Sequence, residues 1–132
     1  MVCLDTTFLV DLLRRKLEAE KKLNILMRRS DSPCVTVVTV AELFYGAYKS
    51  ENAEKEKIKI NQALSGFLVL EMNEQGAEKF GQLLSALDKC GQRVNDRDVL
   101  IAAIAISKGE HIVVTRNAKD FAKIPEIVVE SY

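Results

Sequence analysis

Short apolar segments without polar alternation separate longer amphipathic segments along nearly the whole chain, and this order constrains the fold most. Uniformly apolar segments suit strands that are buried on both faces, whereas apolar residues at helical spacing indicate amphipathic helices. The predicted strands are Val2–Leu4, Cys34–Val38, Phe67–Leu70, His111–Thr115 and Ile127–Val129. Their alternation with helices predicts a three-layer α/β/α sandwich with a mostly parallel central sheet of about five strands, in one domain over residues 1–132.

Capping residues mark the expected helix boundaries. Thr39 and Glu42 have the spacing of a capping box, so Thr39 is expected to begin the helix after the second strand. Asn73 is expected to cap a long amphipathic helix that Gly91 ends. The segment Asp98–Ser107 is apolar on nearly all sides, which predicts a buried helix.

Composition excludes several classes of protein. The chain has 132 residues with 19 basic and 19 acidic side chains, so it lacks the broad positive charge of many nucleic-acid binders. Its three cysteines lie far apart and without zinc-ligand spacing, which predicts buried thiols in a reducing compartment. No apolar run reaches the roughly 20 residues of a membrane-spanning helix, and the N-terminus does not resemble a signal peptide. We therefore expect a cytoplasmic protein with no membrane segment.

Acidic and amide side chains cluster near the predicted carboxyl ends of the strands. Asp5 ends the first strand, Glu42 is expected in the first turn of the helix after the second, and Asp98 begins the buried helix. Asn117 and Asp120 follow the fourth strand. Because ligands of open α/β sheets bind beyond the carboxyl ends of the strands, we expect these side chains to converge at one edge.

Oxygen ligands without His or Cys select hard cations such as Mg²⁺ or Mn²⁺. A metal held by carboxylates activates water and stabilises the leaving oxygen in phosphodiester hydrolysis. Each acid also has a purely structural interpretation, because Asp5, Asp96 and Asp98 could be helix caps or dipole partners and Glu42 could complete a capping box. Several carboxylates at neighbouring strand ends would repel one another without a cation, and this favours a metal site.

Four segments of the chain resemble PIN-domain ribonucleases, and more narrowly the VapC toxins of toxin–antitoxin pairs. They occur in the family's order and are Leu4–Leu9, Thr36–Gly46, Asp98–Ala103 and Val113–Phe121. The resemblance implies a Mg²⁺- or Mn²⁺-dependent endoribonuclease that cleaves RNA. It also implies an α/β/α fold with a five-stranded parallel sheet, a homodimer, and inhibition by a cognate antitoxin protein.

The resemblance assigns the catalytic metal ligands to Asp5, Glu42 and Asp98. The family's fourth acid falls on Asn117, an uncharged and weaker ligand, so the resemblance leaves four-acid coordination in doubt. Further candidates, as additional ligands or as neighbours of the ligands, are Thr6, Asp96, Thr115 and Asp120.

Basic side chains on the loops near these acids are candidates for contacts with flanking RNA phosphates. They are Arg93, Arg97, Arg116 and Lys119, and the alternative for each is an ordinary solvated surface. An antitoxin helix or tail is expected to lie in a groove formed by the amphipathic helices around 12–27 and 40–48, unless their apolar stripes belong to the core. Tyr45 and Tyr48 could stack on bases, or could belong to the core or to a dimer contact.

Other functions fit parts of the pattern. A phospho-receiver module has a similar size and alternation, but it needs an acceptor Asp where the third strand here ends in Leu70-Glu71-Met72. A PIN-like protein that binds RNA or a partner without cleavage stays open, because Asn117 replaces an acid. A PIN nuclease that processes RNA without a toxin role also stays open, since toxin function depends on an antitoxin.

Overall fold

The computed structural model describes all 132 residues and contains one sheet of five parallel strands. Strand β1 lies in the middle, and the order across the sheet is β3-β2-β1-β4-β5. The strands are β1 (Val2–Leu4), β2 (Pro33–Thr36), β3 (Leu68–Leu70), β4 (Ile112–Val114) and β5 (Val128–Glu130). The predicted parallel α/β/α architecture is confirmed.

Seven helices connect the strands in the order that the sequence predicts. They are α1 (Thr6–Leu13), α2 (Leu17–Arg28), α3 (Val37–Lys49), α4 (Ala53–Leu64), α5 (Glu74–Lys89), α6 (Asp96–Ser107) and α7 (Ala118–Phe121). Asn73 caps α5 as expected, with its side chain accepting a hydrogen bond from the Gly76 amide at 2.9 Å. None of the helices combines the length and hydropathy needed to cross a bilayer.

The two faces of the sheet bury separate apolar clusters. Cys3 of β1 points to the face covered by α5, α6 and α7, whereas Val2 and Leu4 point to the face covered by α1 to α4. This alternation follows from the two-residue period of a strand, and it explains why β1 carries no polar residue. The sheet is therefore the middle layer of the sandwich, and helices cover its central strands on both faces.

Two predicted boundaries are wrong, and both corrections concern residues near the strand ends. Helix α3 begins at Val37, inside the predicted second strand, and its cap is Thr36 instead of Thr39. The Thr36 hydroxyl accepts a hydrogen bond from the Thr39 amide at 3.4 Å, so Thr39 lies buried in the first turn. Glu42 consequently lies in the second turn and completes no capping box. A short β-branched apolar segment fits a buried helix turn as well as a strand.

Helix α6 begins at Asp96, two residues before the predicted start, with Asn95 as its cap. Asp98 therefore lies within the first turn of α6. Of the three cysteines, Cys3 and Cys34 are buried as expected, but Cys90 is exposed. Cys90 follows the last residue of α5, where the chain turns towards α6 at Gly91, so its side chain leaves the core.

Candidate metal centre

Asp5 lies directly after the central strand and is almost completely buried, with 1% of its surface exposed. It caps α1, and its Oδ1 accepts a hydrogen bond from the Phe8 amide at 3.0 Å. The Thr7 hydroxyl donates to both carboxylate oxygens, at 2.7 and 3.0 Å, and the Thr115 hydroxyl donates to Oδ2 at 2.6 Å. Three donor groups from two segments therefore fix the orientation of this carboxylate.

These contacts act against the cost of burying the charge. Burial raises the pKa of Asp5 above its ordinary value, while the hydrogen bonds from Thr115, Phe8 and Thr7 and the positive charge of Arg116 oppose that rise. Hydrogen bonds donated to a carboxylate favour its ionised form. The surroundings of Asp5 are thus built to hold an oriented negative charge.

Glu42 reaches the same edge of the sheet from the second turn of α3. The Thr6 hydroxyl lies 2.8 Å from Glu42 Oε1 and donates to it, and Thr6 also contacts the Thr39 hydroxyl at 3.0 Å. Arg97 Nη1 donates to Glu42 Oε2 at 3.3 Å. Glu42 is therefore joined to the start of α1 through Thr6 and to the start of α6 through Arg97.

Asp98 is the half-buried acid of α6, and it has far fewer partners than Asp5. Asn117 donates from Nδ2 to Asp98 Oδ2 at 3.2 Å. Burial and the nearby negative charges of Asp5, Glu42 and Asp120 raise the pKa of Asp98 to about 6, and the hydrogen bond from Asn117 opposes the rise. The structure therefore brings Asp5 and Glu42 near enough to Asp98 that their charges act on it.

The acidic side chains of this cluster fit a hard divalent cation, because Asp5, Glu42 and Asp98 supply carboxylate oxygens. Asn117 contacts Asp98 through its amide nitrogen. A cation would also relieve the repulsion that raises the pKa of Asp98. As the side chains stand, no three acidic, His or Cys groups form a ready cage. Threonine hydroxyls donate to Asp5, and Arg97 donates to Glu42.

The other predicted site residues lie at different distances from this cluster. Thr115 contacts Asp5 directly, and Asp120 adds negative charge near Asp98 while its own carboxylate lies 3.6 Å from Lys123 Nζ. Asp96 instead lines a 530 Å³ cleft between the end of α5 and the start of α6. Thr115 and Asp120 therefore lie at the cluster, whereas Asp96 lines the neighbouring cleft.

The four basic side chains predicted to contact RNA differ in their surroundings. Arg97 binds Glu42, and Arg116 Nη1 binds the carboxylate of Asp11 at 2.7 and 3.0 Å. Arg93 lines the cleft beside Asp96, and Lys119 is exposed without an ion-pair partner. Arg97 is thus the one basic side chain of the four that contacts a predicted metal ligand.

Sequence reasoning missed the contacts of Thr7, Asp11 and Tyr132 around the site. Thr7 bridges the carboxylate of Asp5 and the backbone amide of Arg116, which donates to Thr7 Oγ1 at 3.2 Å. Asp11 is buried in the middle of α1, where it binds Arg116 and the Tyr132 hydroxyl. An Asp inside an otherwise apolar helical face was the available signal, because a charged residue is rarely buried without a partner.

The chain belongs to the PIN domain family, whose model matches residues 2–127. Within that family it belongs with the VapC ribonucleases. It is similar to Ribonuclease VapC2 of Haemophilus influenzae, with 33% identity over 130 residues that cover 98% of this chain and 96% of the relative. It is also similar to the tRNA(fMet)-specific endonuclease VapC of Salmonella typhimurium, with 35% identity over 99 residues that cover 75% of this chain and 74% of that one.

The chain also resembles solved structures over nearly its whole length. The crystal structure of VapBC2 from Rickettsia felis bound to a promoter DNA fragment has a similar chain with a TM-score of 0.91 and 26% identity, covering 100% of this chain and 99% of that one. DNA-bound VapBC from Salmonella typhimurium gives a TM-score of 0.88 at 30% identity, covering 98% and 96%. The expected resemblance to VapC-type PIN domains is confirmed.

Proposed function

We propose that this protein is a divalent-metal-dependent endoribonuclease and the toxin of a toxin–antitoxin pair. The observation that carries the proposal is the placement of Asp5 and Glu42 near Asp98 at one edge of the sheet, where burial and the charges of Asp5, Glu42 and Asp120 raise the pKa of Asp98 to about 6. Its membership among the VapC ribonucleases supports RNA as the substrate. Mg²⁺ and Mn²⁺ are the cations that suit this set of oxygen ligands.

In this proposal Asp5, Glu42 and Asp98 hold the cation. A bound divalent cation supplies an activated water and stabilises the negative charge that develops on the phosphate. Hydrogen bonds from Thr7 and Thr115 orient Asp5 and favour its ionised form. Asn117 orients Asp98 and takes the position of the family's fourth acid. The set of ligands therefore carries one negative charge fewer than a four-acid set.

Arg97 is the residue of this site best placed to respond to RNA. Its guanidinium is half exposed and holds Glu42 at 3.3 Å. An incoming phosphate competes for the same guanidinium, because arginine binds phosphate and carboxylate with similar geometry. Arg97 would then contact a flanking phosphate and release Glu42 towards the cation.

A groove between α1, α3 and α4 supports the partner part of the proposal. It has a volume of 430 Å³, its apolar lining includes Val10, Leu43 and Ile60, and it reaches Glu42. The similar solved structures are toxin–antitoxin complexes from Rickettsia felis and Salmonella typhimurium. We propose that an apolar helix or tail of a cognate antitoxin occupies this groove and blocks the approach to Glu42.

The predicted homodimer is also part of the proposal. Tyr45 and Tyr48 of α3 are exposed and not part of the core, with 60% and 66% of their surfaces accessible. Exposed tyrosines on one helix suit either a protein contact or base stacking. Sedimentation of the purified protein without RNA tests the dimer directly.

The test is cleavage of a mixed pool of structured and single-stranded RNA by protein purified free of antitoxin. We expect cleavage with Mg²⁺ or Mn²⁺, none with EDTA, and none by Asp98→Asn. Glu130→Gln is the matched control, because it removes one charge from the ion pairs that Glu130 forms with Lys22 and Arg29, away from the predicted metal ligands, and it should cleave normally. Metal binding without cleavage of any RNA in the pool would instead favour a non-cleaving RNA-binding PIN protein.

A further inference from the structure

Asp11 is a buried acid that the proposed chemistry does not use. It lies in the middle of α1 with 3% of its surface exposed, far from the helix end where an Asp would serve as a cap. Arg116 Nη1 donates to its Oδ1 at 2.7 Å and to its Oδ2 at 3.0 Å. The Arg116 side chain is 55% exposed, and an ion pair with an exposed member adds little to stability, so stability alone gives a weak reason for this arrangement.

The partner of Asp11 belongs to a loop that contacts two of the predicted metal ligands. In this loop, residues 115–117, the Thr115 hydroxyl donates to Asp5 and the Asn117 side chain donates to Asp98. Arg116 stands between them, and its backbone amide donates to Thr7 Oγ1. The side chain of Arg116 therefore ties the middle of the loop to α1 while its neighbours hold the two carboxylates.

Tyr132 secures the same contact from the other side. Its hydroxyl donates to Asp11 Oδ2 at 2.5 Å, and its ring packs edge to face on Phe8 with 4.9 Å between the ring centroids. The backbone amide of Phe8 donates to Asp5, the residue that caps α1. The side chain of Tyr132 thus contacts both the Asp11–Arg116 pair and the first turn of α1.

We infer that Asp11 is a positioning residue of the metal centre: through Arg116 it holds loop 115–117 against α1, which keeps Thr115 on Asp5 and Asn117 on Asp98. Tyr132 assists by fixing the Asp11 carboxylate. The part of this inference that concerns the cation rests on the proposed function. Partners that orient metal ligands typically change metal affinity or activity by about 10- to 100-fold when they are removed.

The test uses Asp11→Asn, which keeps the size of the side chain and removes its charge, and Tyr132→Phe, which removes one hydroxyl and keeps the ring on Phe8. Amide hydrogen exchange of Arg116 and Asn117 in metal-free protein reports the loop itself. Both amides donate to threonine hydroxyls of the site. We expect at least about tenfold faster exchange in Asp11→Asn, because this variant loses one charge-assisted hydrogen bond. We expect a smaller change in Tyr132→Phe.

Mn²⁺ binding by calorimetry and cleavage kinetics supply the second readout. Asp11→Asn should bind Mn²⁺ about 10- to 100-fold more weakly and lower kcat with little change in KM for RNA. Glu130→Gln is the control, since the Glu130 carboxylate also forms ion pairs, with Lys22 and Arg29 at 2.7 Å each. The substitution keeps the backbone oxygen of Glu130, which accepts a hydrogen bond from the Thr115 amide at 3.1 Å. If the loss of any ion pair were enough, Glu130→Gln and Asp11→Asn would weaken Mn²⁺ binding and lower kcat alike.

The outcomes separate this inference from the proposed function. Unchanged amide exchange in Asp11→Asn overturns the inference, whatever the metal does. Faster exchange with unchanged Mn²⁺ affinity overturns its link to the metal centre. If the wild-type protein itself binds no Mn²⁺ or Mg²⁺, the proposed function fails, and the amide exchange alone decides whether Asp11 positions the loop. If Asp11→Asn does not fold, Tyr132→Phe decides the inference by the same readouts.

Discussion

The two acids at the centre of the site, Asp5 and Asp98, have opposite surroundings. Asp5 is buried at the end of the central strand and accepts hydrogen bonds from the two threonine hydroxyls and one amide. Asp98 is half-buried in the first turn of α6 and accepts one, from Asn117. Both carboxylates lie at one edge of the sheet, but the protein stabilises the charge of Asp5 with fixed donors and leaves Asp98 facing other negative charges.

This contrast assigns different roles to the two acids. A carboxylate held by several donors is already oriented before any ligand arrives. A carboxylate whose pKa is raised to about 6 by burial and by neighbouring acids gains most from a cation. The α1 side of the site therefore provides a rigid ligand, and the α6 side provides the ligand whose charge state responds to the metal.

The largest expected effect comes from Asp5→Asn. Loss of a rigid metal ligand should reduce RNA cleavage by about a thousandfold, several kcal/mol of transition-state stabilisation. The amide nitrogen of Asn would face the donors of Thr7, Phe8 and Thr115, so this variant should also lower the free energy of unfolding. Cleavage assays and urea unfolding measure both quantities, and a stable Asp5→Asn protein would show that the donors around Asp5 are unimportant.

The next largest effect is expected for Thr115→Val. The Thr115 hydroxyl is fully buried and donates to Asp5 at 2.6 Å, so its loss should reduce the free energy of unfolding by about 2 kcal/mol. Thr6→Val provides the comparison, since the Thr6 hydroxyl donates to Glu42 at a less buried position. Urea unfolding of the two variants at neutral pH should show the larger loss for Thr115→Val. Equal losses would remove the distinction between the two carboxylates.

The convergence of the acids could be predicted from sequence because it depends on topology alone. Asp5, Glu42 and Asp98 each follow or precede a recognisable buried segment, and in a parallel sheet the strand ends share one edge. Errors of two or three residues at Thr39 and Asp96 did not alter that edge. The fold followed from apolar periodicity in the same way, since each predicted strand overlaps an observed one.

The contacts around the acids could not be predicted, because they join segments that are far apart in sequence. Thr115 reaches Asp5 across 110 positions, and Tyr132 reaches Asp11 across 121. No local pattern fixes which side chains of two segments meet at a loop. Arg116 illustrates this limit: its position beside the acids suggested RNA, whereas the structure pairs it with the buried Asp11.

A smaller effect is expected for Asn117→Asp, which restores the acid of the family pattern. The new carboxylate would lie beside Asp98, to which Asn117 now donates at 3.2 Å. An additional negative charge should tighten Mn²⁺ binding by about tenfold, roughly 1.4 kcal/mol. Repulsion between the two carboxylates should lower the free energy of unfolding of the metal-free protein. Calorimetric titration with Mn²⁺ measures the change. An unchanged affinity would place residue 117 outside the set of metal ligands.

The smallest effect is expected for Asp98→Asn in metal-free protein, and its sign depends on pH. The pKa of Asp98 is raised from 3.8 in the unfolded reference to about 6, so between these values the folded state binds more protons and stability falls as pH rises. Asn removes this loss. Urea unfolding in EDTA should show a gain of about 1 kcal/mol above pH 6, after allowance for solvent screening, and no gain from this source below pH 4. With Mn²⁺ present the wild type should become the more stable protein, because the cation binds only the folded wild-type site tightly. A gain that does not change between pH 4 and pH 7 would mean that burial and the neighbouring acids do not raise the pKa of Asp98.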